Sequence, residues 1–428
     1  MEWEDCGFFI DIASKIWQRL SMYLNFPRTV GSAAGWVMLA FVFGVALHSF
    51  KLFWHVPSWV WLILFVTFGI GLVSRLSFKS KVVITLLFAF SQGFWRCDIA
   101  SAPRIRWIEG KAFVFRSDQP KSDFGKQMYE WRKFVTARIQ SSIPPKEASL
   151  VSGILYGDTD FTKEQRETFI SSGLMHIVAV SGSNVTVVVQ IVAAAILGLG
   201  FRRRHAFYIT CVGIFLFVAF VGFEASVMRA AFMGCLILLS REVGRMVSPF
   251  RLLLVAATIL LLINPWQLVF DVGFALSFLA MWGLLSWAPL FHSWFRRLPK
   301  FLGIREIFST SLAATLMTAP YLGWAFNRMS FAGLFTNVLA LPLIIWIMGL
   351  GTLAAIWGTL PGSLWVSAPV LGLARTIEKI AELTYLVPWL DVRIYGMQLS
   401  TLIATYALII YLWRQLSRKN DLSTDLHV

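Results

Sequence analysis

The stretch HIVAVSGSNVTVVVQ, residues 176–190, combines apolar sequence with groups that lipid penalises. It lies in a run apolar enough to cross a bilayer, yet it carries His176, Ser181, Gly182 and Asn184. Polar groups and irregular backbone at membrane depth are tolerated only when they are buried in protein or line water. The segment is therefore predicted to face a pathway or the interior of a helix bundle. Close helix packing through small residues is the alternative, although it does not explain His176 or Asn184.

Two local structures are compatible with this stretch. In one continuous helix, Ser172, His176, Ser183 and Gln190 would fall within about 40° of each other and form a polar stripe. Alternatively, the residues SGSN break the helix, because Gly182 permits an irregular turn and serine hydroxyls can bond the freed backbone groups.

The composition is that of a protein with many membrane spans. Of its 428 residues, 57% are hydrophobic and 14% are charged, and the mean hydropathy is +0.69. Soluble proteins carry about 25% charged residues. Apolar runs recur from residue 29 to residue 413, which predicts an all-α polytopic membrane protein with ten to twelve transmembrane helices, some broken or amphipathic. The weakest span, 363–387, contains four charges and could instead lie in the interface.

The basic residues between the spans predict the orientation. With twelve crossings, the basic clusters after the second, fourth, sixth, eighth and last spans all fall on one side, which is the cytoplasm, together with both termini. These cytoplasmic loops are the first explanation of the net charge of +15. Binding of an anionic polymer is the second explanation. The predicted segments are a cytoplasmic amphipathic N-terminus (1–28), N-terminal transmembrane helices (29–95), an extracytoplasmic polar segment (96–144), the main membrane domain (145–414) and a cytoplasmic tail (415–428).

The polar segment is basic and aromatic. Arg104, Arg106, Lys111 and Arg116 alternate with aromatic residues, a mixture that can bind single-stranded nucleic acid by attracting its backbone and stacking its bases. A solvated loop with a short hairpin around KAFVFRS is the alternative. The following sequence predicts two amphipathic helices broken at Pro144–Pro145 and a short helix capped by Thr162, all lying along the outer face of the membrane.

Further polar residues interrupt the later apolar runs. Glu224 and Arg229 lie in VGFEASVMRAAFMG, Asp271 in NPWQLVFDVGFALSFLAMWG, and Asn337 in TNVLALPL, where Pro342 predicts a kink. An ionisable group at depth costs about 2.5–3.5 kcal/mol on insertion scales, and it usually faces a partner or water. Arg229 could therefore hold a phosphate or bond Asp271 across two helices.

Motifs for metal, cofactor and nucleotide chemistry are absent from the sequence. It contains no HxHxDH, HExxH, CxxC, GxSxG or GxxxxGK[ST] pattern, so we predict no metal, no cofactor and no enzymatic activity.

Five sequence blocks, taken in order, resemble the ComEC/Rec2 competence family over about residues 145–355. They are LVSGILYGDTD, FISSGLMHIVAVSGSNVTVV, VGFEASVMRAAFMG, NPWQLVFDVGFALSFLAMWG and SLAATLMTAPYLGWAFNRMSFAGLFTNVLALPL. That resemblance implies a multi-helix channel in the bacterial inner membrane that passes single-stranded DNA into the cytoplasm during transformation. In the family, an OB-like domain often precedes the channel and a metallo-β-lactamase-like domain follows it. Here the outer region is reduced and the nuclease domain is missing, so the resemblance implies strand passage and not degradation.

The resemblance further implies that polar residues line or brace the path, namely Asp158, His176, Ser181, Asn184, Arg229 and Asp271. Gly182, Glu224 and Asn337 are further pathway candidates. The expected partners are single-stranded DNA, membrane lipid, an extracytoplasmic DNA receptor, a cytoplasmic DNA-translocating ATPase and, in an oligomer, further copies of the chain. A channel predicts a polar cavity lined by His176, Asn184 and Arg229. A small-molecule or ion transporter, or a membrane scaffold without transport, would use the same polar interior.

Overall fold

The computed structural model describes most of the chain. The described residues are 30–50, 58–73, 78–100, 105–108, 111–114, 123–158, 160–178, 182–198, 200, 203–222, 225–242, 248–296, 303–357, 364–394 and 396–425. The predicted segment 1–28 and the candidate residues Arg104, Arg116, Ser181 and Glu224 lie outside them. Arg106 and Lys111 lie in described strands, but their side chains do not belong to the described part.

The chain forms two compact units, residues 1–101 with 257–266 and residues 102–256 with 267–428. The first contains α1 (Val30–Phe50), α2 (Ser58–Val73), α3 (Phe78–Ile99) and the end of α11. The second contains β1 (Ile105–Ile108), β2 (Lys111–Val114), α4 (Asp123–Ser142), α5 (Pro145–Tyr156), α6 (Lys163–Ser171), α7 (Met175–Val178), α8 (Gly182–Gly198), α9 (Arg203–Val221), α10 (Ala225–Glu242), the start of α11 (Pro249–Ile263), α12 (Gln267–Phe270), α13 (Val272–Ser286), α14 (Ala288–Trp294), α15 (Ile304–Phe326), β3 (Arg328–Ser330), α16 (Gly333–Trp357), α17 (Leu364–Tyr385), β4 (Asp391–Arg393) and α18 (Leu399–Asp425).

In the first unit, α1 and α3 pack along two glycines. A Cβ atom on Gly44 would collide with the carbonyl oxygen of Phe90, and one on Gly93 would collide with that of Phe41. The missing side chains therefore let the two backbones approach closely, as small residues do in membrane helix pairs. At the end of α11, the Arg96 guanidinium donates to the carbonyls of Leu262 and Ile263 at 2.7 and 2.9 Å, which satisfies groups that the helix end leaves free.

In the second unit, one apolar cluster joins the helices α4 to α10 with α16 and α17. Leu150, Ile154, Ile214, Ile347 and Ile377 are among its fully buried side chains. Side chains from nine of the described helices converge on this cluster, so the unit has a core inside the protein as well as apolar surface outside. It positions the candidate residues of α5, α8 and α10.

Two short antiparallel sheets accompany the helices. The β1–β2 pair places Arg106 opposite Phe113 and Ile108 opposite Lys111, which confirms the hairpin predicted around KAFVFRS. The β3–β4 pair places Arg328 opposite Arg393 and Ser330 opposite Asp391. Because β3 follows α15 and β4 follows α17, this second sheet ties together two helix connections that are distant in sequence.

The all-α class is confirmed, whereas the count of ten to twelve crossings is not. Among the described residues, 333–357 in α16 and 399–418 in α18 are long and apolar enough to span a bilayer, and α13 with α14, bent by 45°, forms a third span if counted together. Shorter apolar helices cover 34–49, 205–221, 226–240 and 249–263. The amphipathic helix α17 occupies the weakest predicted span. The predicted division into five segments remains a prediction.

Of the two local structures predicted for the stretch HIVAVSGSNVTVVVQ, the continuous helix was wrong, because α6 ends at Ser171 and Gly173 takes a positive φ. Helix α7 contains only Met175–Val178, and α8 begins at Gly182. Consequently, the polar stripe of Ser172, His176, Ser183 and Gln190 does not form, because it requires one continuous helix. The local helix signals were better predicted: α4 ends before Pro144–Pro145 and α5 begins there, and Thr162 and Gln165 form a capping box.

We expect Gly44→Ala to destabilise the first unit. The added methyl group must displace the α3 backbone at Phe90, and overpacking of this kind costs about 1–3 kcal/mol. The matched control is Gly35→Ala in the same helix, since no atom lies within 4 Å of the corresponding Cβ position. Thermal melting of the purified full chain in detergent should show a lower midpoint for Gly44→Ala only, and equal midpoints would contradict the close approach.

Candidate functional site

The chain turns sharply at Gly173, just before HIVAVSGSNV. This turn is called the glycine corner, and contacts with α16 hold it in place. Helix α6 ends at Ser171, and Gly173 then takes a positive φ of 72°. A Cβ atom on Gly173 would lie 2.7 Å from the Gly333 nitrogen at the start of α16. The Thr336 hydroxyl donates to the Ser172 carbonyl at 2.9 Å. Only glycine fits both the backbone angle and this close contact.

His176 is exposed and bonds within its own turn. Its Nδ1 lies 2.8 Å from the Gly173 carbonyl oxygen. Because a carbonyl only accepts hydrogen bonds, Nδ1 carries the proton. This bond fixes the orientation of the ring at the corner that precedes α7.

Asn184 and Gly182 hold α8 against two neighbouring helices. The Asn184 side chain is buried, and its amide nitrogen donates to the Ile154 carbonyl of α5 at 2.6 Å. A Cβ atom on Gly182 would lie 3.2 Å from the Ala230 side chain of α10. Asn184 and Gly182 thus serve helix packing, which is the alternative that the sequence left open for Gly182.

Asp158 is exposed and lies at the junction of α4 and α5. Its carboxylate accepts a hydrogen bond from the Thr136 hydroxyl at 3.0 Å, and its backbone carbonyl accepts from the Ser152 hydroxyl at 2.8 Å. The Thr136 hydroxyl also lies 2.8 Å from the Tyr156 hydroxyl. Asp158 therefore connects α4 to the end of α5.

Arg229 joins α10 to α13 inside the protein. Its side chain is only 3% exposed, and its Nη2 donates to the Gly273 carbonyl and the Ser277 hydroxyl, each at 2.8 Å. The nearest oxygen of Asp271 lies 3.9 Å from Nη1. Asp271 itself caps α13 by accepting from the Phe274 N–H at 3.1 Å. Of the two roles left open for Arg229, this geometry favours the bond across two helices.

Asn337 makes a similar link between α16 and α15. Its side chain is buried, and its amide nitrogen donates to the Ser311 hydroxyl at 3.2 Å. Pro342 lies inside α16, which runs from Gly333 to Trp357 as one helix. The Pro342 signal marks an interior residue of that helix and not its end.

The pathway candidates have different surroundings. Asn184 and Arg229 are buried and bonded to protein groups, whereas His176 is exposed. In this conformation the first two brace helices, and their side chains do not form one surface with His176. Whether any of these residues lines a path during transport remains a prediction.

Arg328 forms an ionic clamp that was missed from the sequence. Its guanidinium binds both carboxylate oxygens of Asp391 from Nε at 2.8 and 3.0 Å, and its Nη1 contacts Glu167 at 2.7 Å. The clamp joins β3, β4 and α6. These hydrogen bonds to Asp391 raise the pKa of Arg328, and burial opposes them. Its only sequence signal was an arginine between two apolar runs.

A second ionic cluster links the start of α5 to α17. Lys146 lies 3.4 Å from Glu378 and 3.6 Å from Glu382, and Arg375 binds Glu147 at 2.8 Å. Three of the four charges in the predicted span 363–387, Arg375, Glu378 and Glu382, therefore have partners on α5. Among the described residues, no three His, Cys, Asp or Glu side chains come together as a metal site.

We expect Arg229→Ala to destabilise the second unit by about 3 kcal/mol. The substitution removes two hydrogen bonds from a charged donor and leaves Asp271 unpaired. The matched control is Arg251→Ala, because Arg251 is exposed on α11. Chemical denaturation of the full chain in mild detergent measures the difference, and equal stability of both variants would refute the bracing role.

We expect Arg328→Gln to weaken the β3–β4 connection by about 2 kcal/mol, because glutamine cannot reproduce the charged two-pronged bond to Asp391. Arg393→Gln is the control, since Arg393 is exposed on the same sheet. Limited proteolysis between α17 and α18 should accelerate for Arg328→Gln alone. The same rate in both variants would argue against the clamp.

Comparison with known proteins gives the family. A family model described as Competence protein matches residues 154–419, which is more than half of the chain. ComE operon protein 3 of Bacillus subtilis (strain 168) is 26% identical over 253 residues, covering 59% of this chain and 32% of that protein. The chain thus spans about a third of this relative's length. No solved structure matches the chain. The match includes the end of α5, the glycine corner, Asn184, Arg229, Asp271 and Arg328, so this membrane-associated chain belongs to the Competence protein family.

Proposed function

We propose that the chain is an inner-membrane channel component that passes single-stranded DNA into the cytoplasm during natural transformation. The observation that carries this proposal is the family match over residues 154–419, which includes the braced helices of the candidate site. The ComEC/Rec2 resemblance of the sequence blocks supports the same function. The chain has no nuclease or P-loop motif in its sequence, so we propose passage of the strand without its degradation.

Contacts between distant segments support the proposed multi-pass orientation. The basic loops predict that α4, α6, the α9–α10 turn, β3 and β4 all lie outside, with both termini in the cytoplasm. Arg132 of α4 donates to the Val221 carbonyl at the end of α9 at 3.2 Å, and Arg328 joins β3 to β4 and α6. Segments assigned to one side by charge alone therefore contact each other, as one outer face requires.

The Arg229–Asp271 contact bears on how a polyanion could pass. A DNA strand carries one negative charge per phosphate, so a path needs water and cations but cannot grip too tightly. An isolated Asp271 carboxylate would repel phosphate. Here it caps α13 and lies 3.9 Å from Arg229, so the nearby positive charge offsets part of its repulsion. The pair thus braces the wall of the proposed path without adding strong attraction or repulsion.

The proposal requires partners that supply the strand and the energy. An extracytoplasmic receptor would deliver DNA to the outer face. A cytoplasmic DNA-translocating ATPase would draw it inward, since the sequence has no P-loop. Lipid surrounds the apolar helices, and self-association of the chain is compatible with this scheme.

Deletion of the gene tests the function directly. Cells lacking the chain should retain surface binding of fluorescent DNA but lose its entry into a nuclease-protected cytoplasmic pool, because the membrane barrier remains closed to the polyanion. Complementation with the full chain is the control, with its presence in the membrane confirmed by immunoblot. Normal cytoplasmic uptake in the deletion strain would reject a transport role. Loss of surface binding as well would instead assign the chain to DNA capture.

A further inference from the structure

Helix α4 exposes aromatic rings, each accompanied by a basic side chain, along two stripes. Trp131, Phe134 and Tyr129 are 55%, 53% and 40% exposed. The Lys133 ammonium lies 4.6 Å from the Tyr129 ring centroid, and the Arg138 guanidinium lies 5.3 Å from that of Phe134. Trp131, Phe134 and Arg138 lie on one stripe of the helix and are called the aromatic–basic face, whereas Tyr129 and Lys133 lie on a second stripe, about 160° around the axis from Trp131. Because each cation lies within about 6 Å of a ring, the contacts restrict where the rings and charges point.

The helical period separates this face from the packed side of α4. Trp131, Phe134 and Arg138 follow the i, i+3, i+7 spacing of one helix stripe. The rings of Trp131 and Phe134 meet edge to face with centroids 6.1 Å apart. Ile139, by contrast, is fully buried in the apolar core. One side of α4 thus packs against the apolar core, and the opposite side is exposed.

The anchoring contacts place α4 beside the matched family region. Arg132, adjacent to Trp131, donates to the Val221 carbonyl at the end of α9. Thr136 donates to Asp158 and lies 2.8 Å from Tyr156. These contacts join α4 to the end of α5, where the family match begins. A ligand on the aromatic–basic face would consequently lie next to the start of the matched family region.

The exposed hydrophobic side chains of α4 differ in kind from those of the apolar helices α9, α16 and α18. The large hydrophobic side chains that α4 exposes are Phe124, Tyr129, Trp131 and Phe134, all aromatic. Helices α9, α16 and α18 instead expose many aliphatic side chains, including Ile209, Leu216, Ile345, Leu353, Ile403 and Leu412. Hydrocarbon accepts aliphatic and aromatic groups alike, whereas base stacking requires rings. Rings without aliphatic neighbours, interleaved with cations, are typical of surfaces for single-stranded nucleic acid.

We infer that the aromatic–basic face of α4 binds single-stranded nucleic acid, with bases stacked on Trp131 and Phe134 and phosphates near Arg138, while Lys133 attracts the strand from the flank of the helix. The inference rests on the proposed function for its natural ligand, the transforming strand. Glu130 lies 3.6 Å from Lys133, but both side chains are more than half exposed. Solvent weakens such a pair, so it does not prevent Lys133 from attracting phosphate.

Binding of a labelled oligonucleotide tests the inference. The full chain in nanodiscs is titrated into fluorescein-labelled oligodeoxythymidine, with fluorescence anisotropy as the readout. The double variant Trp131→Ala, Phe134→Ala should weaken binding about tenfold or more, because each stacked base contributes strongly. Trp365→Ala is the matched control, since that tryptophan is 87% exposed on α17. Unchanged melting of the double variant verifies that it folds.

Charge variants add a second readout. Lys133→Gln should weaken binding and reduce its dependence on salt, whereas Glu130→Gln should strengthen binding, because it removes a competing anion. Unchanged oligonucleotide affinity in the double alanine variant would overturn the inference. In that case, quenching of a fluorophore on Trp131→Cys by doxyl-labelled lipid would assign the face to the bilayer surface.

The two proposals fail in different assays. If the deletion strain imports DNA normally, the transport function is rejected whatever α4 binds. If the deletion abolishes uptake while the double alanine variant binds oligonucleotide like the parent chain, the transport function stands and the aromatic–basic face is rejected.

Discussion

The rest of this structure depends on one constraint: polar groups in an apolar chain must find partners within the protein. Water is scarce at membrane depth, so an unpaired donor or charge there costs several kcal/mol. Asn184 donates to the Ile154 carbonyl, Arg229 bonds Gly273 and Ser277, and Asn337 bonds Ser311. Each of these contacts connects two different helices, 26 to 48 residues apart along the chain. The polar interruptions of the apolar runs thus specify which helices are neighbours.

Outside the apolar helices, ionic contacts perform the same task. Arg328 connects α6, β3 and β4, and Lys146 connects α5 to α17. Arginine suits the first position because its planar guanidinium binds a carboxylate with two parallel bonds. The glycine corner at Gly173 lies beside Gly333 and completes this connection. The segment that precedes HIVAVSGSNV is therefore held by neighbouring segments on both sides, through Arg328 and through Gly333.

The functional proposals place capture and passage in neighbouring parts of the chain. Family membership supports the role in competence. In the proposed channel, the helices of the matched region, linked by these side-chain contacts, form the wall. The aromatic–basic face of α4 lies next to this region through Arg132 and Thr136. Stacking holds bases without fixing their sequence, which suits a surface that must accept any strand and then release it. Tight and specific binding would oppose transport.

The sequence by itself determined the all-α class, the helix break at Pro144–Pro145 and the Thr162 cap, and it offered the hairpin as one of two interpretations, because hydropathy and turn chemistry act locally. The resemblance of its ordered blocks also determined the family. Only the tertiary structure decided that Arg229 bonds α13, that Asn184 bonds α5, and that Arg328 joins three segments. These partners lie 30 to 161 residues apart along the chain. No local pattern reports such pairings, since the choice among polar partners is made when the helices pack.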